Sequence, residues 1–290
     1  MSQEQEAFEE GEKNTYVVDA HSAAEMARLL RQDQLITAGM GGIFPEQPDL
    51  SEVQRVLDLA CGPGGWPLEV AYAYSDIEVV GVDISERMIT YAQSQAQVQQ
   101  RANVRFRVMD ILKPLDFPMN SFDLVNARLI SAFMLRESWP TFFRECSRVL
   151  RPGGVMRLTE SELGSSNKPH FEKTWHLIFE AVRRAGLNFS ATGYNQGIIQ
   201  MLPALFRQSG LTVLGRMAHA IDISFGSEAH EGFYRDFSMA FQLLEPFLVK
   251  MQITTANEWR DLSHQCLLEM LEEDFCSVML LLTVWGSRKL

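Results

Sequence analysis

The sequence is short of cation: 26 Lys and Arg stand against 37 Asp and Glu in 290 residues, a net charge of -11. A broad nucleic-acid surface needs clustered Lys and Arg to replace counterions on phosphates, so that class of partner is disfavoured. Cysteine is scarce as well. Cys61, Cys146, Cys266 and Cys276 form no C-x-x-C pair, which argues against a zinc site or disulfide framework and for reduced thiols in a cytoplasm. Long apolar runs are missing. The longest, Val278 to Trp285, is too short to cross a bilayer as a helix. The Glu-rich start, Met1 to Lys13, has no apolar core, so no signal peptide is expected and mobility is. What is present, 46% hydrophobic and 22% charged residues, describes a soluble globular chain with ample core. Its length suits one large domain or one domain with additions.

The organising stretch is Val56-Leu57-Asp58-Leu59-Ala60-Cys61-Gly62-Pro63-Gly64-Gly65 followed by Trp66-Pro67-Leu68-Glu69-Val70-Ala71. An apolar strand, a glycine turn and a helix bring backbone N–H groups and a helix N-terminus toward a ligand. Pro67 fits the first helical turn, where its missing N–H has no partner to lose. Gly62 and Gly64 allow close approach because neither carries a Cβ. Two alternatives fail on residue identity. A P-loop needs Gly-Lys-Ser/Thr, which is absent, and a dinucleotide fingerprint needs glycine where Pro67 stands.

From Val53 onward, strand and helix signals alternate, which predicts a parallel sheet covered on both faces. The strands are read at 56–59, 77–83, 104–108, 122–126 and 155–159. Asp83 closes the second strand about 20 residues after the glycines, the distance expected for a ribose ligand. Asp110 lies just past the third. Ser85 caps the helix that carries Met88, and Pro140 to Leu150 is helical before a Pro152-Gly153-Gly154 turn. Ahead of the core, Ser22 to Thr37 reads as a helix, with Ser22 as cap and Glu25 three residues on.

Asp58, Ala60, Gly62 and Gly64 resemble motif I of the class I S-adenosylmethionine (SAM) methyltransferases, whose usual form is D-x-G-x-G-x-G. Ala60 replaces the first glycine. Asp83 matches the acid after motif I, and Asp110 matches motif II. Ser121 to Asn126 is similar to the motif IV region, and Arg148-Val149-Leu150-Arg151-Pro152-Gly153-Gly154 to the family's "hLkPGG" turn. The resemblance covers about half the chain. It implies a doubly wound α/β sheet of seven strands, the last antiparallel, with helices on both faces; Phe206-x-x-x-Gly210-Leu211 and the strand-like 276–285 agree. It implies SAM as cofactor and S-adenosylhomocysteine as product. Asp83 would accept from both ribose hydroxyls and Asp110 from the adenine amino group. Ile111 N–H would face a ring nitrogen, and Ile84 or Met88 would pack on the adenine. Asp58 would order the loop and meet the ammonium of the methionine part, with Asn126 beside the cofactor. Any one Asp alone is as well read as a turn or cap residue; three at successive strand ends are harder to set aside.

The second half is less legible. Phe171 to Val182 is an amphipathic helix, Asn195 to Ser209 another containing Pro203, and a sixth strand ends near Phe225. The stretch of roughly fifty residues from there to the seventh strand is helical, and long for a connection. It is rich in Phe, Tyr and Met, Tyr234 among them. The expected organisation is a tail and helical cap over 1–50 and a methyltransferase domain over 51–290, with a lid insertion at 226–274; core packing or a homodimer contact is the alternative use of the insertion. Candidate bases are Glu160, Glu162 and His170, although His170 also reads as a helix cap. The candidate acceptor pocket holds Tyr16, Arg128, Glu160, His170 and Tyr234. No metal is expected, since no acid cluster of the catechol-methylating type is present. Asn126-Ala127-Arg128-Leu129 stands where the amino-methylating enzymes of DNA and protein carry Asn-Pro-Pro-Tyr. The reading is methyl transfer to O, N or C of a small, partly apolar metabolite in the cytoplasm, without nucleic acid or membrane. Its rivals are RNA or protein methylation, and SAM binding without methyl transfer.

Overall fold

The structure, a computed structural model, describes residues 17–19, 22–46 and 50–289. Tyr16 and the Glu-rich opening expected to be mobile lie outside the described residues. Among the described residues no helix is long and apolar enough to cross a membrane.

The chain enters through α1, Ala23–Met40, where Ser22 Oγ accepts from Glu25 N and Gly41, in the left-handed region, stops the helix. The helix therefore runs past Thr37 to the glycine that can adopt the required φ of 87°. Strand and helix then alternate: β1 (Arg55–Leu59), α2 (Gly65–Ala73), β2 (Glu78–Asp83), α3 (Glu86–Val98), β3 (Val104–Val108) and β4 (Phe122–Arg128). A single 3₁₀ turn, Ile130–Ala132, leads to α4 (Trp139–Val149) and β5 (Leu150–Glu162). Then come α5 (Pro169–Arg184), α6 (Ile198–Gln208), β6 (Thr212–Asp222), α7 (His230–Lys250), α8 (Ala256–Glu269) and β7 (Val278–Ser287).

The strands form one sheet of order β3-β2-β1-β4-β5-β7-β6. The β1, β2, β3, β4 and β5 pairs are parallel, while β7 runs antiparallel between β5 and β6. Central strands buried on both faces require continuous apolar runs, which Val56, Leu57 and Leu59 supply at no exposure. On one face α2 and α3 pack through Trp66, Val70, Ile89 and Ala92. On the other, α4 and α6 pack through Trp139, Phe143, Leu202 and Phe206. Strand order reverses between β1 and β4, so a crevice opens beyond their carboxyl ends.

Two boundaries differ from the expectations. The Pro152-Gly153-Gly154 segment is not a free turn; β5 begins at Leu150 opposite Phe122, and the register shifts before Leu124 meets Val155. Gly153 N donates to Arg288 O and Gly154 O accepts from Arg288 N, so the chain's end pairs with this irregular strand. Helix α6 starts at Ile198 because Gly197 holds a left-handed φ of 74°. The amides of Gln196 and Gly197 bond to Glu162 instead of entering the helix.

A further core lies above the crevice. Ile36 and Met40 of α1, Phe171 and Ile178 of α5, Phe233, Phe237 and Phe241 of α7, and Trp259 and Cys266 of α8 bury one another. Trp259 Nε1 donates to Phe241 O at 2.7 Å. A capping box at Thr255 and Glu258 starts α8. The insertion is thus a packed helical layer joined to α1.

Candidate active site

At the end of β1 the backbone turns through left-handed Ala60 (φ 54°), Gly62 (φ 53°) and Gly64 (φ 85°). Each glycine is needed for a different reason. A Cβ on Gly64 would meet Ala92 Cβ and the Phe106 ring at 2.8 Å, so this residue lets the loop sit down on α3 and β3. A Cβ on Gly62 would find only Leu29 Cδ1, at 4.0 Å. The space over Gly62 is part of a cavity of about 360 Å³ that runs along the carboxyl edge of the sheet.

Asp83 ties the edge together. Its Oδ2 accepts from Gly62 N and its Oδ1 from Ser85 N, both at 2.9 Å. Burial raises its pKa, opposed by those backbone donors. Asp83 also lines the cavity, and a carboxylate with two acceptor oxygens suits a vicinal diol. Asp110 Oδ1 accepts from Leu112 N at 2.9 Å and its Oδ2 lies 3.4 Å from Lys113 Nζ. With Ile84, Met88, Met109, Ile111 and Leu112 it lines the adjoining slot.

Asp58 reaches the cavity but is almost wholly buried, and burial pushes its pKa up to about 7. Asn126 Nδ2 donates to its Oδ1 at 2.7 Å, while Asn126 Oδ1 accepts from Arg157 at 2.8 Å. Arg157 in turn pairs with Glu46. Asn126 is fully buried in this chain of bonds and orients Asp58 from behind instead of facing the cavity.

Beyond β4 the backbone is again left-handed, at Leu129 (φ 56°), so both strands flanking the reversal end in the same way. Arg128 reaches up from β4 to Asp33 and donates to Thr37 Oγ1 at 3.0 Å, joining the sheet to α1. Burial, with Arg157 nearby, lowers its pKa to about 9, which leaves it charged at neutral pH. Glu160, at the end of β5, has no exposure, and burial pushes it up to about 7. Its oxygens accept from Ser131 N at 3.1 Å and Ser131 Oγ at 2.5 Å, and Gln196 Nε2 donates to the same hydroxyl at 2.8 Å.

The cavity wall therefore brings together Asp58, Ala60, Gly62, Asp83, Ile84, Met88, Asp110, Ile111, Arg128 and Glu160. It does not include Gly64, Asn126, Glu162, His170 or Tyr234. Glu162 binds the amides of Gln196 and Gly197. His170 Nδ1 lies 2.6 Å from Glu269 Oε1, and the same carboxylate takes the His170 and Phe171 amides, so the pair caps α5. Tyr234 lies beside His230, with ring centroids 6.5 Å apart. Missed at the sequence level were Arg28, Gln32 and Asp33 of α1, Ser131, Gln196 and Trp175. Arg28, Gln32 and Asp33 share helical spacing with Leu29 and Ile36, and that mixed stripe is the signal that could have found them.

Residues 56–154 match the family model described as a methyltransferase domain. That segment is a methyltransferase domain of the class I SAM-dependent type, and the chain spans less than half the length of the curated relatives it matches. It is 32% identical over 140 residues to phosphoethanolamine N-methyltransferase 3 of Arabidopsis thaliana, a match covering 46% of this chain and 28% of that protein. It is 33% identical over 135 residues to 27-O-demethylrifamycin SV methyltransferase of Amycolatopsis mediterranei, covering 46% and 47%. The fold is also that of Haemonchus contortus phosphoethanolamine N-methyltransferase 2 in complex with SAM, with a TM-score of 0.53 at 19% identity, covering 87% of this chain and 52% of that one. SAM is the family's cofactor. The residues present fit it: Asp83 offers paired acceptors, and the loop is open over Gly62 where a side chain would intrude.

Proposed function

We propose that this methyltransferase acts on a small molecule held between the glycine loop and the helical layer formed by α1 and α7. The observation that carries this is the continuity of one cavity from Gly62 and Asp83 to Trp175, Phe233 and Phe237. One cleft that borders both the cofactor loop and the aromatic wall allows an in-line transfer, and a volume of about 360 Å³ favours a small acceptor over a polymer. The net charge of -11 supports the same choice. Both curated relatives carry small-molecule substrates in their names.

SAM, when bound, supplies an electrophilic methyl on sulfonium. The chain's own part is placement and exclusion of water. Asp83 and Asp110 fix the nucleoside end, and Asp58, held by Asn126, faces the cationic end. Glu160, hydrogen-bonded to the Ser131 hydroxyl, is the candidate to receive a proton lost by the acceptor. The division into a cap over 1–50 and a domain over 51–290 with a lid at 226–274 belongs to this reading. So do the homodimer alternative and the cytoplasmic assignment.

Thermal melting tests the cofactor assignment. S-adenosylhomocysteine should stabilise the protein by about 3 kcal/mol at a hundredfold excess over its Kd, and NAD should leave it unchanged. Stabilisation by NAD alone would sink the assignment. Amide exchange tests the roof: ligand should protect α1 and α7 as well as the segment 62–65. Identical exchange in both helices with and without ligand would reduce the insertion to packing.

A further inference from the structure

The cations that line the cavity among the described residues are Arg28 and Arg128, and both are already bonded to carboxylates. Arg28 donates to both oxygens of Glu25 at 2.7 Å and to Asp236 at 3.0 Å. Arg128 is paired with Asp33. Asp33 Oδ2 remains buried without a hydrogen-bond partner, and Glu160 completes a wall with no surplus of positive charge. A phosphate or carboxylate entering here would lose its water and meet like charges, an arrangement that costs several kcal/mol. The rest of the acceptor side is mainly apolar, formed by Trp175, Phe179, Phe233, Phe237 and Leu244 among others, with Gln32, Ser131, Ser161 and Gln196 as neutral polar groups. Trp175 and Phe237 meet edge to face at 5.2 Å, so the wall is a rigid aromatic corner.

We propose that the acceptor is a neutral, largely apolar molecule carrying a hydroxyl or carbonyl oxygen, with the aromatic corner taking its body and the neutral polar groups of the wall its oxygen. The proposal rests on the reading that this cavity houses the methyl acceptor. The relation between charge and pocket excludes phosphate monoesters as a class, because neither guanidinium is available without stranding a buried carboxylate. Trp175 is then a specificity-determining residue supplied by α5, outside every motif of the cofactor half.

A matched pair of probes separates the possibilities. Protein saturated with S-adenosylhomocysteine is titrated by calorimetry with 1-naphthol and with 1-naphthyl phosphate, which share a ring and differ in charge. Naphthol should bind more than roughly tenfold tighter than its phosphate, as like-charge rejection requires. Trp175→Ala removes one side of the aromatic corner and should weaken naphthol by roughly tenfold, with S-adenosylhomocysteine affinity unchanged. Leu244→Ser, at a half-buried position on the wall, should weaken naphthol as well while S-adenosylhomocysteine binds as in the parent. Equal or tighter binding of the phosphate overturns the proposal, and so does no naphthol binding to a protein that holds S-adenosylhomocysteine. An unaltered naphthol affinity in both variants overturns it too, by placing the probe elsewhere. Failure to bind S-adenosylhomocysteine at all is a different result, and defeats the methyltransferase reading instead.

Discussion

Along the glycine loop, ligand geometry is set by main-chain groups and by residues close in sequence: Gly62 N on Asp83, Ser85 N on the same carboxylate, Leu112 N on Asp110. On the acceptor side it is set by side chains that meet across the whole chain. Arg28 bonds Asp236, Arg128 bonds Asp33, and Gln196 bonds Ser131. The first arrangement is cheap to keep, since the strand, turn and helix that make it form locally. The second depends on the helical layer being docked, because Arg28 and Arg128 are each largely buried and paired with a carboxylate from another element. The two halves should therefore fail differently.

The largest effect is expected on the acceptor side. Arg28→Met removes the guanidinium between Glu25 and Asp236, both essentially buried, and leaves two carboxylates facing each other. Breaking a buried pair from one side costs about 3–5 kcal/mol, and denaturant unfolding should register that loss. Amide exchange should rise in α1 and α7 first, while S-adenosylhomocysteine still protects the glycine loop. Uniform loss of protection over the sheet and the helical layer would show that the halves are one cooperative unit.

The matching cut in the cofactor half is Asp83→Ala. It removes a charged acceptor from two backbone donors and from the ribose hydroxyls assigned to it. At roughly 1.5–3 kcal/mol for each hydrogen bond to a charged group, product affinity should fall by more than a hundredfold. Calorimetry reads this directly, and stability should fall less than affinity because burial already disfavours the ionised Asp83. A variant that binds S-adenosylhomocysteine like the parent would make Asp83 a loop anchor only.

The same contrast explains what was legible in the sequence. The glycine turn, the acids at 58, 83 and 110 and the alternation of strands were readable because each is a short-range pattern with a backbone cause. The seventh strand's direction came only through the family resemblance. His170 and Glu162 were named from position past a strand end, yet their partners, Glu269 and the 196–197 amides, are far away in sequence and turn both into caps and anchors. Trp175 lies on the apolar side of the amphipathic helix 171–182, and nothing in that periodicity says that the ring borders a cavity. Arg28 and Asp236 are 208 residues apart, and no local rule pairs them.

A smaller effect concerns pH. Asp58 in the ligand-free protein titrates near 7 because burial outweighs the Asn126 bond and the Arg157 charge. The cationic end of SAM favours the ionised form. Affinity should be complete above pH 7 and decline below it, by at most about tenfold per pH unit for one group. The raised pKa also means that ionising Asp58 destabilises the free protein, so its contribution to stability is lost as pH rises from the unfolded value through 7. Asp58→Asn should flatten the affinity profile between pH 5.5 and 7.5. A profile that keeps its slope in the variant would assign it to another group, Glu160 being the one with a similarly raised pKa.

The smallest effect tests backbone strain at the ends of β1 and β4, where the two halves of the cavity meet. Ala60 and Leu129 both adopt left-handed φ, at 54° and 56°. For a residue with a Cβ that conformation costs roughly 1–2 kcal/mol, and glycine escapes it. Glycine also gives the unfolded chain more freedom, which offsets about 0.4–1 kcal/mol of the gain. Ala60→Gly, which restores the family's glycine, should therefore stabilise the protein by about 0.5 kcal/mol. In a chain of this size that is a rise in Tm of about 1–2 °C. Leu129→Gly relieves the same strain but deletes a side chain that packs on the helical core and lines the cavity, so it should destabilise. Opposite signs at two positions of the same backbone shape would locate the difference in side-chain packing, as the contrast between the halves requires. If Ala60→Gly instead lowers Tm, the alanine methyl makes contacts worth more than the strain it causes, and the glycine of motif I is dispensable here on packing grounds.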